Sequence, residues 1–148
     1  MIIMLNIKIK KLNDNATLPT GATPGSAGLD LYAFPDANLT IPSGGRALIP
    51  TGIAIELPDN SHAAFIFPRS GLASKHGITL SNCVGVVDSD YRGEVKVALV
   101  NLSDDAYTVR NGERIAQMVI MPVPAVNIEE VCELGDTVRG GGGFGSTG

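Results

Sequence analysis

Short apolar segments, interrupted by turn residues about every ten positions, constrain the fold of this chain more than any other feature. No window shows the apolar spacing of an amphipathic helix over three turns. Residues 5–10 alternate between polar and apolar side chains, which is typical of a half-buried strand. Further strands are predicted at 27–33, 38–41, 47–57, 62–67, 78–87, 94–101, 114–120 and 126–131. This series of short strands predicts an all-β protein, a jelly-roll-like β-barrel.

The sequence predicts two hairpins. Asn111-Gly112 lies between two runs of strand-like sequence, and an Asn-Gly pair is the strongest short-range indication of a hairpin. Segments 78–87 and 94–101 predict a second hairpin, with Asp88 and Tyr91 at its mouth. The only helical candidate is a single turn within residues 69–77.

The composition predicts one domain with a sparsely charged surface. Of the 148 residues, 18% are charged and 44% are hydrophobic, which indicates that apolar surface is buried against other subunits. A net charge of −4 disfavours a nucleic-acid-binding surface, because such a surface normally needs a basic stripe. A small anionic ligand held by a few cations remains compatible with that charge.

No apolar run is long enough to span a bilayer, and the apolar start of the chain lacks the pattern of a signal peptide. We therefore expect a cytoplasmic protein without membrane contact. Cys83 and Cys132 show no Cys-x-x-Cys spacing, so free, buried thiols are predicted. His62 and His76 are far apart and lack ligand spacing, which disfavours a zinc site.

The last ten residues, 139–148, contain six glycines and one aromatic residue, Phe144. Such a segment cannot build a core and is expected to be flexible. A disordered end is one interpretation. The other is a lid, because backbone N–H groups and hydroxyls suit phosphate oxygens, Arg139 pairs with them, and Phe144 offers a face to a nucleobase. The second interpretation divides the chain into a β-barrel domain at 1–137 and a lid at 138–148.

Segment 82–94 places a dense cluster of acidic residues after an apolar run. Gly85 and Gly93 bracket this cluster, as expected where a strand turns sharply or where something approaches the main chain. Asp88 offers a carboxylate there. An acidic turn without a functional role explains the same residues, since Asp, Ser and Gly are ordinary turn formers. The local sequence leaves both interpretations open.

Five stretches occur together in one order: 27–33 (AGLDLYA), 68–78 (PRSGLASKHGI), 82–94 (NCVGVVDSDYRGE), 112–120 (GERIAQMVI) and 139–148 (RGGGGFGSTG). In this combination the chain resembles the homotrimeric dUTP pyrophosphatases, or dUTPases. The resemblance implies a β-clip, dUTPase-like fold and Mg²⁺-dependent hydrolysis of dUTP to dUMP and pyrophosphate. Such a reaction limits uracil incorporation into DNA and supplies dUMP for thymidylate synthesis. A homotrimer with active sites at subunit interfaces is also implied.

The resemblance assigns roles to individual residues. Asp88 corresponds to the carboxylate that orients the water attacking the α-phosphorus, and Tyr91 to the ring under the deoxyribose that excludes a 2′-hydroxyl. Gln117 corresponds to a side chain aimed at the phosphates and the attacking water. Asp30 corresponds to a carboxylate that meets Mg²⁺ only through water, although a purely structural role fits Asp30 nearly as well.

The implied catalytic residues are Asp88, Gln117, Arg69 and Ser70. The implied substrate contacts are Asn82, Val84, Gly85, Val86, Val87 and Lys96 at the uracil, Asp88 and Tyr91 at the sugar, Arg69, Ser70, Gly71 and Gln117 at the phosphates, and Arg139, Phe144, Gly145, Ser146 and Thr147 in the lid. For Lys96 a solvated, outward-facing lysine is the alternative that the sequence favours.

Two other functions are compatible with the same fold. A dCTP deaminase-like enzyme would need a different turn and a glutamate that activates water at C4 of cytosine, and residues 88–93 fit that poorly. A non-enzymatic barrel, either a nucleotide-binding or a capsid-like protein, needs no carboxylate that orients water. Asp88, Gln117 and the predicted lid therefore favour the hydrolase.

Overall fold

The computed structural model describes residues 4–145, and these contain ten strands and one helix. The strands are β1 (Lys8–Lys11), β2 (Leu29–Tyr32), β3 (Leu39–Ile41), β4 (Arg46–Glu56), β5 (His62–Phe67), β6 (Ile78–Leu80), β7 (Gly85–Val87), β8 (Glu94–Asn101), β9 (Tyr107–Val109) and β10 (Arg114–Pro122). The helix α1 (Ser70–His76) lies between β5 and β6, where the sequence predicts a helical turn. No helix of this part of the chain has the length and hydrophobicity needed to cross a membrane.

The strands form two four-stranded antiparallel sheets and one two-stranded pair. The first sheet has the order β1-β4-β8-β6, the second has the order β2-β10-β5-β7, and β3 pairs with β9. The all-β, jelly-roll-like prediction is confirmed, although the sheets stay separate rather than closing into one continuous barrel.

Alternation along the strands places the core between the two sheets. In β8, Val95, Val97 and Leu99 are buried, whereas Lys96 is exposed, because successive side chains of a strand face opposite sides. Leu31 of β2 and Met118 of β10 meet them from the other sheet as members of the same buried cluster. The core thus fixes which face of each strand points outward, toward the candidate site.

The predicted hairpin of segments 78–87 and 94–101 forms only in part. β6 pairs antiparallel with β8, with Ile78 opposite Asn101 and Leu80 opposite Leu99, but the strand nearest Asp88 leaves this pairing. β7 pairs with β5 in the second sheet, with Val87 opposite Ala64, whereas β8 pairs with β4 and β6 in the first sheet. Residues 88–93 therefore carry the chain from one sheet to the other, and we call them the crossover segment. Alternation in the sequence predicts strands but does not identify their partners, which explains the error.

The hairpin predicted at Asn111-Gly112 is wrong. A two-residue type I′ hairpin needs positive φ at both central residues, but only Gly112, at φ 79°, has it. The Gly112 N–H donates to the carbonyl of Ala33 at 2.8 Å, and the turn sends β9 to β3 and β10 to β2 and β5. The turn is present, and it connects strands of different sheets.

The strand predicted at 126–131 is absent, and residues 123–138 form no strand. Val126 is 80% exposed, Ile128 90% and Leu134 87%, so the apolar side chains of this arm have no packing partner within residues 4–145. An alternating pattern needs a neighbouring strand to supply hydrogen bonds, and the arm meets none in a single chain. Cys83 and Cys132 are free, as predicted, but both are exposed rather than buried.

Candidate active site

A cavity of about 300 Å³ opens beside the crossover segment. We call it the crossover cavity. Asp88 and Tyr91 line it from the crossover segment, and Lys96 lines it from β8. The remaining lining residues are Leu48, Val86, Val87, Glu94 and Val95. The structure thus brings together five residues that the resemblance places at uracil and sugar, and Lys96 faces the cavity rather than open solvent alone.

Hydrogen bonds to main-chain carbonyls fold the crossover segment into a compact turn. The Tyr91 N–H donates to the carbonyl of Asp88 at 3.1 Å, and Arg92 Nη1 donates to the carbonyl of Ser89 at 2.7 Å. The Tyr91 hydroxyl donates to the carbonyl of Glu94 at 3.0 Å. The carboxylate of Asp88 accepts no hydrogen bond from residues 4–145 and is exposed. Its oxygens are therefore free to accept from a water or a ligand hydroxyl.

Glu94 was not predicted as a site residue, yet it organises the floor of the crossover cavity. Its Oε1 accepts the Gly52 N–H at 2.9 Å, and its Oε2 lies 3.6 Å from Lys96 Nζ. The charge of Lys96 is thereby partly compensated. The sequence offers one indication of this role, because Glu94 starts a strand otherwise dominated by apolar residues.

A tight turn leads into β7 at the predicted uracil slot. The Val84 N–H donates to the carbonyl of Asn82 at 2.7 Å, and Cys83 between them has φ 62°. A hydrogen bond over three residues with positive φ at the centre is a rare, strained γ-turn. Asn82 and Val84 are both exposed, so this stretch presents backbone groups and an amide side chain to the outside.

A cluster of polar side chains, which we call the Asp30 cluster, forms where β2, β10 and the end of β5 meet. It consists of Asp30, Arg69, Arg114 and Gln117. Register places Gln117 opposite Asp30 on one side and opposite Phe67 on the other. This pairing brings stretches that are far apart in the sequence to one patch of the second sheet.

Two guanidinium groups hold the Asp30 carboxylate. Arg69 Nε donates to Oδ1 at 3.1 Å, and Arg114 Nη1 donates to Oδ2 at 3.1 Å. Arg69 Nη1 also donates to the carbonyl of Arg114 at 3.1 Å. The Asp30 side chain is only 13% exposed, and the two guanidinium groups together give each of its oxygens a hydrogen-bond donor. Arg114 was not predicted as a site residue, although it lies within the 112–120 stretch.

Gln117 and the start of α1 complete this cluster. Gln117 Nε2 donates to the carbonyl of Pro68 at 3.1 Å, which ties β10 to the segment before the helix. Arg69 is the N-cap of α1 but has no acceptor with which to cap the helix, and its side chain donates to Asp30 instead. Ser70 and Gly71 begin the helix and are exposed.

The crossover cavity and the Asp30 cluster lie at opposite ends of β5. Val87 pairs with Ala64, so Asp88 follows near the start of β5, whereas Arg69 follows its other end. A strand rises about 3.3 Å per residue, which puts the Cα atoms of Asp88 and Arg69 about 15–20 Å apart. Within residues 4–145 no hydrogen bond or ion pair joins the crossover cavity to the Asp30 cluster.

Up to Gly145, the glycine-rich tail forms no hydrogen bond or ion pair with the crossover segment or the Asp30 cluster. Arg139 Nε donates to the carbonyl of Gly142 at 2.7 Å, which closes a local turn. Phe144 is fully exposed, with φ 52°, and Gly145 has φ 89°. Ser146 and Thr147, also predicted as lid residues, lie outside the described residues.

Comparison with known proteins shows the family. Residues 14–148 match the dUTPase family. The chain is 51% identical to the deoxyuridine 5′-triphosphate nucleotidohydrolase of Hahella chejuensis over 99% of this chain and 96% of that protein. It is 54% identical to the protein of the same name from Rickettsia massiliae, with 96% of each chain covered.

Solved structures agree with the fold. A complex of the Staphylococcus bacteriophage 80alpha dUTPase with dUpNHpp has a TM-score of 0.86 and 25% identity, covering 97% of this chain and 98% of that chain. A mutant dUTPase of phage phi11 of S. aureus, solved with a structural Mg(II) ion, has a TM-score of 0.79 at 20% identity and covers 88% of this chain and 99% of that chain. On the family match and the near full-length identities together, the chain belongs to the dUTPase family.

Proposed function

We propose that this chain hydrolyses dUTP to dUMP and pyrophosphate. The observation that carries the proposal is the exposed Asp88 carboxylate, which is free of hydrogen bonds from residues 4–145 and lines the crossover cavity with Tyr91. Relatives at about half identity are named for the same activity, which supports the assignment. The reaction would limit uracil incorporation into DNA and supply dUMP for thymidylate synthesis.

In the proposed chemical step, Asp88 accepts a hydrogen bond from a water and orients its oxygen toward the α-phosphorus. The new bond joins the water oxygen to phosphorus, and the bond from the α-phosphorus to the α,β-bridging oxygen breaks. The water's proton passes to Asp88 or to solvent, and pyrophosphate leaves with the bonding electrons. Phosphoryl transfer depends mainly on positioning and charge stabilisation, so a placed carboxylate suffices as the base.

Selection of base and sugar is assigned to the stretch around the γ-turn. Asn82 and the backbone of residues 84–87 would read O4 and N3–H of uracil. Cytosine presents the opposite polarity there and would leave these hydrogen-bonding groups unpaired once the base covers them. Tyr91 would lie under the deoxyribose and exclude a 2′-hydroxyl, and Asp88 would accept from the 3′-hydroxyl. Lys96 is proposed as a further substrate contact, because it lines the same cavity.

The Asp30 cluster is assigned to the phosphates. Arg69, with Ser70 and Gly71 at the start of α1, would hold the α- and β-phosphates and the bridging oxygen. Gln117 would contact the phosphates and the attacking water. The support is electrostatic, because two guanidinium groups face a single carboxylate and leave net positive charge on this patch.

The last part of the chain, residues 138–148, is proposed as a lid on a β-domain formed by residues 1–137. Arg139, Gly145, Ser146 and Thr147 would close over the γ-phosphate, and Phe144 would stack on uracil. The full exposure of Phe144 supports this assignment, because its ring is available to a ligand. A glycine-rich segment can follow the phosphates closely with its backbone.

Mg²⁺ is proposed as the metal of the reaction. Residues 4–145 hold no group of three or more His, Cys, Asp or Glu side chains that could cage an ion. Mg²⁺ tends to keep several waters and to bind through substrate phosphates, so this set of residues fits an ion carried by the triphosphate. Both oxygens of Asp30 accept from arginines, which suits contact with the ion through water only. When bound, the ion would neutralise developing charge on the phosphates.

A homotrimer with active sites at subunit interfaces is proposed, and two observations support it. Asp88 and Arg69 are too far apart in one chain to act on one phosphate, so their groups would have to meet across an interface. The arm at 123–138 exposes Val126, Ile128 and Leu134 in the single chain, which suggests cover by another subunit. We place the enzyme in the cytoplasm, without nucleic-acid or membrane partners, in agreement with the net charge of −4.

Release of pyrophosphate from dUTP, dCTP, dTTP and UTP, with and without Mg²⁺, tests the proposal directly. We expect Mg²⁺-dependent release from dUTP at a kcat/KM at least about 100-fold above that for the other three nucleotides. Ammonia release from dCTP would instead support the deaminase. Binding of dUTP without turnover would support a non-enzymatic nucleotide-binding protein.

A further inference from the structure

We propose that Gly28 and Gly93 are positioning residues, each leaving the space that one functional side chain occupies. Gly28 would seat Gln117, and Gly93 would seat Tyr91. Both glycines lack the positive φ that makes glycine necessary at Gly52 and Gly112, so backbone conformation does not explain either of them. The inference rests on the proposed function, because it concerns how two of its residues are held.

Sheet register brings Gly28 close to the side chain of Gln117. Gln117 of β10 lies opposite Asp30 of β2, and Gly28 lies two residues before Asp30, just ahead of the strand. Diagonal neighbours of this kind are within reach of a long side chain. A Cβ at position 28 would lie 2.7 Å from Gln117 Oε1 and 3.3 Å from Gln117 Cβ. The glutamine amide therefore lies in the space that any other residue at position 28 would fill.

The consequence is a shift of the amide with little damage to the fold. The closest approach would be to the end of a flexible side chain, which can move away while the strands stay paired. Moving it would weaken the hydrogen bond from Gln117 Nε2 to the carbonyl of Pro68, at 3.1 Å. Displacement by about 1 Å at a catalytic contact can lower turnover about 100-fold.

At Gly93 the neighbour is the tyrosine ring itself. A Cβ at position 93 would lie 2.4 Å from the Tyr91 hydroxyl oxygen and 2.6 Å from Cζ. The ring is rigid, so it would have to swing as a unit and lose the hydrogen bond from its hydroxyl to the carbonyl of Glu94. Since Tyr91 is proposed to lie under the sugar, the predicted result is weaker discrimination between dUTP and UTP.

The chain offers matched controls. A Cβ at Gly25 or at Gly135 would meet nothing within 4 Å, and neither glycine has positive φ. Gly25→Ala and Gly135→Ala should leave kcat and KM unchanged. They report the general effect of replacing glycine by alanine outside helices and strands.

Double-mutant cycles test the proposal. We expect Gly28→Ala to lower kcat about 10- to 100-fold while KM changes less than about threefold. In the Gln117→Ala background the amide is gone and only the Cβ contact at 3.3 Å remains, so Gly28→Ala should have little further effect in single-turnover assays. Additive effects of the two substitutions would show that Gly28 acts independently of Gln117 and would overturn its seating role.

For Gly93 the readout is the ratio of kcat/KM for dUTP to that for UTP. Gly93→Ala should lower this ratio about tenfold or more, and it should lower it no further in the Tyr91→Ala background. An unchanged ratio in Gly93→Ala would contradict the seating of Tyr91. If Gly93→Ala fails to fold, the double variant with Tyr91→Ala should fold, because it lacks the clash. Failure of both variants to fold would indicate that Gly93 has a structural role instead.

The wild-type assay separates this inference from the proposed function. If the wild-type protein releases no pyrophosphate from dUTP, the proposed function fails. If the wild-type protein is active and both glycine variants match Gly25→Ala, only the seating of Gln117 and Tyr91 fails.

Discussion

Asp88 and Asp30 are the same residue type in opposite surroundings. The Asp88 carboxylate is exposed and accepts no hydrogen bond from residues 4–145, whereas both oxygens of Asp30 accept from arginines and its side chain is 13% exposed. A free carboxylate can orient a water. A carboxylate held by two guanidinium groups fixes those groups in place. Asp88 is therefore suited to the chemical step, and Asp30 is suited to positioning its two arginines.

The largest expected effect comes from Asp88→Asn. Removing the charge that orients the water should lower kcat by about 10²–10⁴-fold while dUTP binding persists. The free energy of unfolding should change by less than about 0.5 kcal/mol, because the carboxylate has no partner to lose. Single-turnover kinetics, calorimetric binding of dUTP and urea unfolding measure the three quantities. Unchanged turnover would refute the role given to Asp88.

Compared with Asp88→Asn, Asp30→Asn should lower the catalytic rate less and the free energy of unfolding more. Arg69 and Arg114 would lose their shared acceptor, so kcat/KM should fall about 10- to 100-fold because the phosphate-binding guanidinium is less well positioned. The free energy of unfolding should fall by about 2 kcal/mol, the typical worth of hydrogen bonds to a charged group. Asp36→Asn, at an exposed aspartate, is the control. Full activity with reduced stability would make Asp30 purely structural.

Tyr91→Ala should affect selectivity more than turnover. Without the ring, kcat/KM for UTP should rise at least about tenfold relative to dUTP. Tyr91→Phe, which keeps the ring and loses only the hydrogen bond to Glu94, should still reject UTP. Parallel pyrophosphate-release assays with both nucleotides measure the ratio. Continued rejection of UTP by Tyr91→Ala would place sugar selection elsewhere.

The smallest effect is expected at a third aspartate, Asp59, which is held by neighbours but lies on the surface. Hydrogen bonds from Ser61 and His62 lower its pKa from 3.8 to about 2. A lowered folded-state pKa means that the stabilisation is complete above pH 4 and is lost as the pH falls toward 2. Acid unfolding of the wild type should therefore be slightly steeper between pH 4 and 2 than that of Asp59→Asn. Indistinguishable curves would show that these hydrogen bonds contribute nothing.

Local pattern predicted most of the strands, because alternation reports directly which side chains face a core. The partners of those strands were not predictable in the same way. Val86 and Val95 both lie in strand-like sequence on either side of the crossover segment, yet they belong to different sheets. Pairing depends on contacts across long sequence separations, which alternation does not encode.

The sequence predicted some of the site residues and missed others. Asp88, Tyr91 and Gln117 stand in stretches with recognisable composition, and the structure places them at the crossover cavity and in the Asp30 cluster. Arg114 and Glu94 act through a neighbouring strand, which the sequence alone does not reveal. Residues 126–131 alternate and were therefore predicted as a strand, but in the single chain they have no neighbouring strand to pair with.

In the proposed homotrimer, the crossover cavity of one subunit and the Asp30 cluster of another act on the same substrate. Activity of mixed trimers tests it most directly. Asp88→Asn and Arg69→Ala subunits, each inactive alone, are unfolded, mixed in equal amounts and refolded together. If the site is shared, about a quarter of the sites receive both intact residues, and dUTP hydrolysis returns to about a quarter of the wild-type rate. If both residues must come from one chain, every site stays defective and the mixture stays inactive.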